Sequence, residues 1–254
     1  MSRFFYLNLI FAIFLFLSLF LFFGDDPYDS FLLFSIIIIF YNIIVLIGVF
    51  RLDWGLFVHA KCHGHCKVEQ SRCVAITFDD GPSEYTSNIL NILKKYNARA
   101  TFFCIGKNLE VHRDIVCQIR DEGHLLGNHS FSHSYLLNLA SYSTYRDELE
   151  KTQRLFDELI GVKTDLYRPP VGLSNPRMAK VVNELGLRVI GWSIRSLDTR
   201  IADPEMVVQR IMKRLHHGAI ILLHDRLPHS DMILISLLEA LQKNDWTVVA
   251  LDEL

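Results

Sequence analysis

The 254-residue chain has a formal net charge of −2 and is 50% hydrophobic. That composition excludes a polyanion binder, because no basic excess is available to meet nucleic acid. The length allows one large domain and an appendage.

The appendage comes first. Residues 4–23 and 31–50 contain no Asp, Glu, Lys or Arg, and roughly 20 apolar residues span a bilayer as a helix. A cleaved signal peptide is the rival reading for the first run, but the run is too long and Leu21-Phe22-Phe23-Gly24 offers no small-x-small cleavage site. Residues 1–51 are therefore expected as a transmembrane helical hairpin, a two-pass anchor closed by the short acidic connector 24–30. Arg51, Trp54 and Phe57 then form an interfacial anchor. Arg3, Arg51 and Lys61 lie outside the spans while Asp25, Asp26 and Asp29 lie between them, so the positive-inside rule puts the following domain on the cytoplasmic face.

Residues 52–72 are expected as a juxtamembrane linker. They contain Cys62-His63-Gly64-His65-Cys66, four soft ligands whose spacing matches no common zinc knuckle. With Cys73, Cys104 and Cys117 the cysteines total five, without repeated spacing. This predicts an unpaired set suited to a reducing compartment rather than a disulfide scaffold.

From residue 73 to the end, short apolar strands alternate with amphipathic helices. Val74, Ala75, Ile76 and Phe78 read as a buried strand stopped by Gly81-Pro82, and residues 83–97 as the first helix. Strands follow at 100–105, 124–128, 166–167, 188–192, 219–223 and 247–251. Helices are expected near 111–122, 144–160, 204–217 and 231–243, with another starting at Asn175-Pro176. Asn175-Pro176 and Asp203-Pro204 are start signals, a polar cap followed by proline at the first helical position. Seven such units without a Gly-rich dinucleotide turn predict an α/β fold, a small parallel barrel rather than a Rossmann domain.

In a parallel barrel functional groups collect at the C-terminal ends of the strands. Those ends carry Asp79-Asp80, His129 with His133, Arg168, Trp192-Ser193 and His224-Asp225. Asp-Asp-Gly-Pro alone reads as a helix-capping turn. Two adjacent carboxylates at a strand end are a different matter when a cation and an arginine are near to compensate them. The four-residue spacing of His129 and His133 suits a histidine metal pair, and one converging carboxylate makes a two-His, one-carboxylate site with open positions. His112, His124 and His229 read as surface or packing residues, His216 and His217 as a helix end, and Trp246 as core.

Five blocks together resemble the NodB-like polysaccharide deacetylases: Thr77-Phe78-Asp79-Asp80-Gly81-Pro82, residues 127–133 (Gly-Asn-His-Ser-Phe-Ser-His), residues 167–172 (Tyr-Arg-Pro-Pro-Val-Gly), Gly191-Trp192-Ser193 with Asp198, and residues 221–225 (Ile-Leu-Leu-His-Asp). The resemblance implies a distorted (β/α)7 barrel over 73–254 and a metal-dependent de-N-acetylase. It makes Asp79 the general base, His224 the general acid and Arg168 the partner of Asp79. Asp80, His129 and His133 become the ligands of one divalent ion, zinc or alternatively cobalt, nickel or manganese. Pro170, Val171 and Trp192 become substrate contacts, the Val171 N–H an oxyanion donor, and Asp198 the support of His224. The implied substrate is an N-acetylated glycan or, alternatively, a lipid-linked sugar precursor; a silent glycan-binding barrel is the other alternative. Two departures bear on substrate. Arg195-Ser196-Leu197-Asp198-Thr199 stands where the family often has Asp-x-x-Asp-Trp, and Val171 replaces a frequent aromatic residue.

Overall fold

The computed structural model describes residues 2–22, 27–66, 72–161 and 163–254. Residues 24–26 of the expected connector and 67–71 of the expected linker lie outside them.

Helices α1 (Arg3–Phe22) and α2 (Pro27–Phe50) pack antiparallel. The Tyr41 hydroxyl donates to Asn8 Oδ1 at 2.8 Å and the Tyr41 ring stacks on Phe11. In α2, Phe31–Phe50 is long and apolar enough to cross a membrane, whereas the described apolar stretch of α1 is Arg3–Ser18. At 1.5 Å per residue the latter reaches only about 24 Å, short of a hydrocarbon core of about 30 Å. Of the two expected spans, one therefore meets the length requirement among the described residues.

The next strands are β1 (Ala60–Lys61) and β2 (Arg72–Asp79), so the stretch expected as linker contributes a strand of its own. Then come α3 (Thr86–Lys95), β3 (Ala100–Cys104), α4 (Gly106–Val111), α5 (Arg113–Asp121), β4 (Leu125–Asn128), α6 (Tyr142–Ile160), β5 (Leu166–Tyr167), α7 (Pro176–Glu184) and β6 (Arg188–Ile190). The chain closes with β7 (Ile194–Arg195), α8 (Pro204–Met212), β8 (Ala219–His224), α9 (Ser230–Lys243) and β9 (Trp246–Val248). The caps form as the sequence predicts. Asn175 Oδ1 accepts from the Met178 N–H and Asp203 Oδ1 from the Glu205 N–H, and Gly161 ends α6 in the left-handed region at φ 67°.

All named strands pair in parallel, in the order β1-β6-β5-β4-β3-β2-β8-β7, with β9 also on β2. The strand expected at 188–192 is interrupted. Its first part, β6, pairs with β5, and after three residues β7 pairs with β8. The two sides of the sheet are thus joined covalently through Gly191-Trp192-Ser193, and the sheet curls toward closure as a distorted barrel. β2 runs through the middle, buried from Cys73 to Asp79, which explains its nearly unbroken apolar reading. Ile76, Phe78, Phe102, Ile221 and Leu223 face Ile89, Leu93, Phe156 and Leu237 of the surrounding helices in the main core.

The cysteines correct the expectation of an unpaired set. Cys66 and Cys73 form a disulfide, leaving Cys62, Cys104 and Cys117 free. The pairing tethers residue 66 to the start of β2, where Gly64 N–H also bonds the Gly218 carbonyl at 2.8 Å.

Candidate active site

Parallel register assembles the site. On β2 and β8, Asp79 stands opposite His224; on β4 and β5, Asn128 stands opposite Tyr167, so the following residues, His129 and Arg168, emerge side by side. His129 Nδ1 lies 2.7 Å from the Arg168 carbonyl. A carbonyl only accepts, so Nδ1 carries a proton and Nε2 is turned toward the carboxylates, an orienting contact typical of ligating histidines.

Asp79 and Asp80 are adjacent but differently surrounded. Arg168 Nη1 donates to Asp79 Oδ1 at 2.7 Å and to Thr77 Oγ1 at 2.8 Å, while Nη2 and Nε donate to the carbonyls of Gly191 and Ile190. The guanidinium is fully buried over the Phe103 ring; burial pulls its pKa down and Asp79 resists that pull. Removing it would leave a buried, unpaired carboxylate, a loss of about 3–5 kcal/mol.

Asp80 instead faces the histidines. Its Oδ1 lies 3.5 Å from His129 Nε2 and 3.2 Å from His133 Nε2, and its Oδ2 accepts from Arg226 Nε at 2.7 Å. Burial opposes ionisation of Asp80, but the hydrogen bond and charge of His129, the charge of His133 and the Arg226 hydrogen bond together hold the carboxyl far below the usual carboxylate range. Burial pulls His133 below the usual imidazole range, with the neighbouring His129 adding to that. His129 is pushed down by burial but raised overall by Asp79 and Asp80.

The donor set fits a divalent cation. Bonds of about 2.0–2.2 Å to one ion require donors roughly 3–3.5 Å apart, and the three donor atoms lie within 4.8 Å of one another. Among the described residues this is the one such His/Cys/Asp/Glu group; the Cys62-to-Cys66 segment does not form another, since Cys62 is buried and Cys66 is in the disulfide.

The histidine loop is held by a residue the sequence does not single out. Glu148 of α6 accepts from the Phe131 and Ser132 N–H groups and from Ser132 Oγ through one oxygen, Oε2. The loop is tightly folded, with Ser130 at φ 64° and His133 at φ 51°. Asp80 at φ 73° and Val171 at φ 60° also lie in the left-handed region. For a β-branched residue that conformation is costly, and such strain clusters at functional positions.

His224 Nδ1 lies 2.8 Å from Asp198 Oδ1, and Asp198 Oδ2 accepts the His224 N–H at 2.7 Å. Asp198 is itself oriented by Ser196 Oγ at 2.9 Å and the Thr199 N–H at 3.0 Å. Burial works against protonation of His224, but the Asp198 hydrogen bond and charge outweigh it and raise its pKa overall. Its Nε2 points toward the carboxylates, 3.9 Å from Asp80 Oδ2.

These groups floor a cavity of about 290 Å³ whose walls include Tyr135, Val171, Gly172, Trp192, Arg195, Thr199, Arg200 and Arg226. Val171 and Trp192 line it; Pro170 is buried and is not among its lining residues. A side chain at Gly172 would collide with the Trp192 ring. Arg226, Tyr135 and Arg200 escape sequence reasoning, because they fall outside the recognisable blocks, while Arg195, at the end of β7, is noticed there only as a departure from the family pattern.

Residues 67–190 match the family model described as polysaccharide deacetylase. A peptidoglycan-N-acetylglucosamine deacetylase of Bacillus cereus is 35% identical over 152 residues, 59% of this chain and 55% of that relative; the chain thus spans little more than half of that protein's length. A second protein of that name from the same organism is 33% identical over 195 residues, 73% of this chain and 71% of the relative. The solved structure of peptidoglycan deacetylase PdaC from Bacillus subtilis superposes with a TM-score of 0.68 at 29% identity, covering 72% of this chain and 90% of that one. The chain belongs to the polysaccharide deacetylase family.

Proposed function

We propose that the chain is a metal-dependent hydrolase that removes N-acetyl groups from an amino sugar of the N-acetylglucosamine type, in a polysaccharide or other cell-envelope glycan. The observation that carries this reading is the divided carboxylate pair. One acid is held ionised against two histidine Nε2 atoms, and its neighbour is locked to a buried arginine across the mouth from an Asp-supported histidine. The relatives named for peptidoglycan-N-acetylglucosamine deacetylation support the substrate class.

The reaction needs a nucleophilic water, a stabilised oxyanion and a protonated leaving amine. Asp80, His129 and His133 would hold a divalent ion, zinc being the natural candidate for this donor set, and that ion would contribute carbonyl polarisation and a more acidic water. Asp79, fixed by Arg168, accepts the proton of the attacking water. The Val171 N–H, presented by its left-handed backbone, donates to the developing oxyanion. His224 Nε2–H protonates the departing amine while Asp198 holds Nδ1–H. Neighbouring carboxylates in unlike surroundings thus take unlike roles.

The N-terminal helices act as a membrane anchor, α2 through its Phe31–Phe50 stretch and α1 along it. The Cys66–Cys73 disulfide favours an oxidising, extracytoplasmic face for the barrel, against the cytoplasmic side suggested by three flanking charges.

The test is acetate release from N-acetylglucosamine oligomers by the full chain in detergent. Chelation should abolish release and added zinc or cobalt should restore it. An unchanged rate in exhaustively chelated protein would overturn the metal-dependent reading.

A further inference from the structure

We propose that the substrate carries a phosphate group next to its amino sugar, bound by Arg195 and Arg200, and that this phosphate belongs to a membrane lipid-linked sugar. The inference rests on the deacetylase reading above and names the substrate class that reading leaves open.

The first observation is charge. Arg195, Arg200 and Arg226 all line the active-site cavity. Arg226 is engaged with Asp80, and Asp79 is neutralised by the buried Arg168. Among the described residues no carboxylate lies within ion-pair distance of Arg195 or Arg200. Both residues are exposed at the mouth, so their guanidinium groups are free to meet an anionic part of a substrate. A neutral N-acetylated polymer offers hydroxyl and acetamide oxygens as acceptors but no charge to offset them. A phosphate supplies that charge, and the planar fork of arginine matches its oxygens in bidentate fashion.

The second observation is placement. The loop that carries Val171 reaches the membrane helix within three residues: the Ser174 N–H donates to the Val49 carbonyl at 3.0 Å, and Ser174 Oγ to the Gly48 carbonyl at 3.1 Å. On the other side of the mouth, Leu137 packs in one cluster with Leu52, just past the end of α2. The turn that contains Leu137 exposes Tyr135, Leu136 and Leu139 at 74%, 68% and 78%, and Val171 is 46% exposed. A rim fastened to the end of a membrane helix and studded with exposed apolar side chains lies at the bilayer interface, where aromatic and aliphatic residues enter the headgroup layer. The anionic ligand that reaches such a mouth is one embedded in that bilayer.

The test compares three acceptors with full-length protein in vesicles: prenyl-diphosphate-linked N-acetylglucosamine in the same membrane, water-soluble N-acetylglucosamine 1-phosphate, and neutral N-acetylglucosamine oligomers. Both acetate release and binding are measured, so absence of acetate from every acceptor would count against the deacetylase reading while binding still reports on the arginines. The expected result is a preference for lipid-linked over soluble phosphate and for either over neutral oligomers. The ratio of kcat/KM for phosphate-bearing to neutral acceptor should collapse by about ten-fold or more in Arg195→Gln/Arg200→Gln, the loss of about one good ion pair. An unchanged ratio in that variant, or a wild-type preference for neutral oligomers, overturns the phosphate site. Equal use of soluble and lipid-linked phosphate overturns the membrane source.

Discussion

The floor and the mouth of the cavity are built on opposite terms. The floor is formed by Asp79, Asp80 and His129 and backed by Arg168 and Asp198, each at most 6% exposed and fixed by named donors and acceptors. The mouth, by contrast, is arginine and exposed apolar side chains on loops. The floor's rigidity comes from strand register, because Asp79 meets His224, and His129 meets Arg168, wherever those parallel strands pair. At the mouth only Arg195 has such a constraint, through its pairing with β8. On the proposed roles, reaction type and substrate choice would reside in separate layers of this molecule, the first at the sheet's strand ends and the second at the rim.

If that division is right, disturbing the floor should cost far more than disturbing the mouth. The largest effect belongs to His129→Ala. This change removes a donor whose Nε2 faces Asp80, and should abolish both bound metal by elemental analysis and acetate release. Retained stoichiometric metal would break the picture of the floor.

Asp198→Asn comes next, with a loss of about 10- to 100-fold and a change in pH profile. His224 must be protonated to act as the acid, and Asp198 raises its pKa, so activity is lost as pH rises through that raised value. Without the carboxylate the alkaline limb should move to lower pH. A limb that stays in place would dissociate His224 from the acid role.

The smallest effect concerns stability beneath the floor. Asp225 is fully buried, its carboxyl pushed up to about 7 chiefly by burial, with Thr86 Oγ1 donating to one oxygen at 2.6 Å and the other left without a hydrogen bond. A carboxyl whose folded pKa exceeds its unfolded value stabilises the fold at low pH and loses that contribution as pH rises through the folded value. The thermal midpoint should therefore carry a declining contribution between about pH 4 and 7 that levels off above the folded value, and Asp225→Asn should flatten that decline. Equal slopes in the two proteins would contradict this.

The layers also differ in how far the sequence discloses them. Asp79, Asp80, His129 and Arg168 sit in short blocks at strand ends, where a reading of strand ends and carboxylate pairs finds them, whereas Asp198 is reached only through the family resemblance. The supports do not announce themselves. Glu148 lies mid-helix, and only the packing of α6 brings its carboxylate under the histidine loop. Arg226 follows the His224-Asp225 block by one residue, but its reach to Asp80 depends on the loop's course. β1 is two residues long, too short for any periodicity, and exists because β6 offers it an edge. The disulfide joins cysteines seven residues apart that match no scaffold spacing. Apolarity alone suggests two spans, while among the described residues α2 is the helix that meets the length requirement.

The central claim is that Asp79 and Asp80, adjacent in sequence, divide the chemistry between proton transfer and metal binding. It is tested most directly by parallel metal analysis and acetate-release kinetics on Asp79→Asn. The account predicts wild-type metal content with kcat lowered by about 10²- to 10⁴-fold, the usual cost of a lost general base. Wild-type acetate release by Asp79→Asn, or loss of its metal, would contradict it.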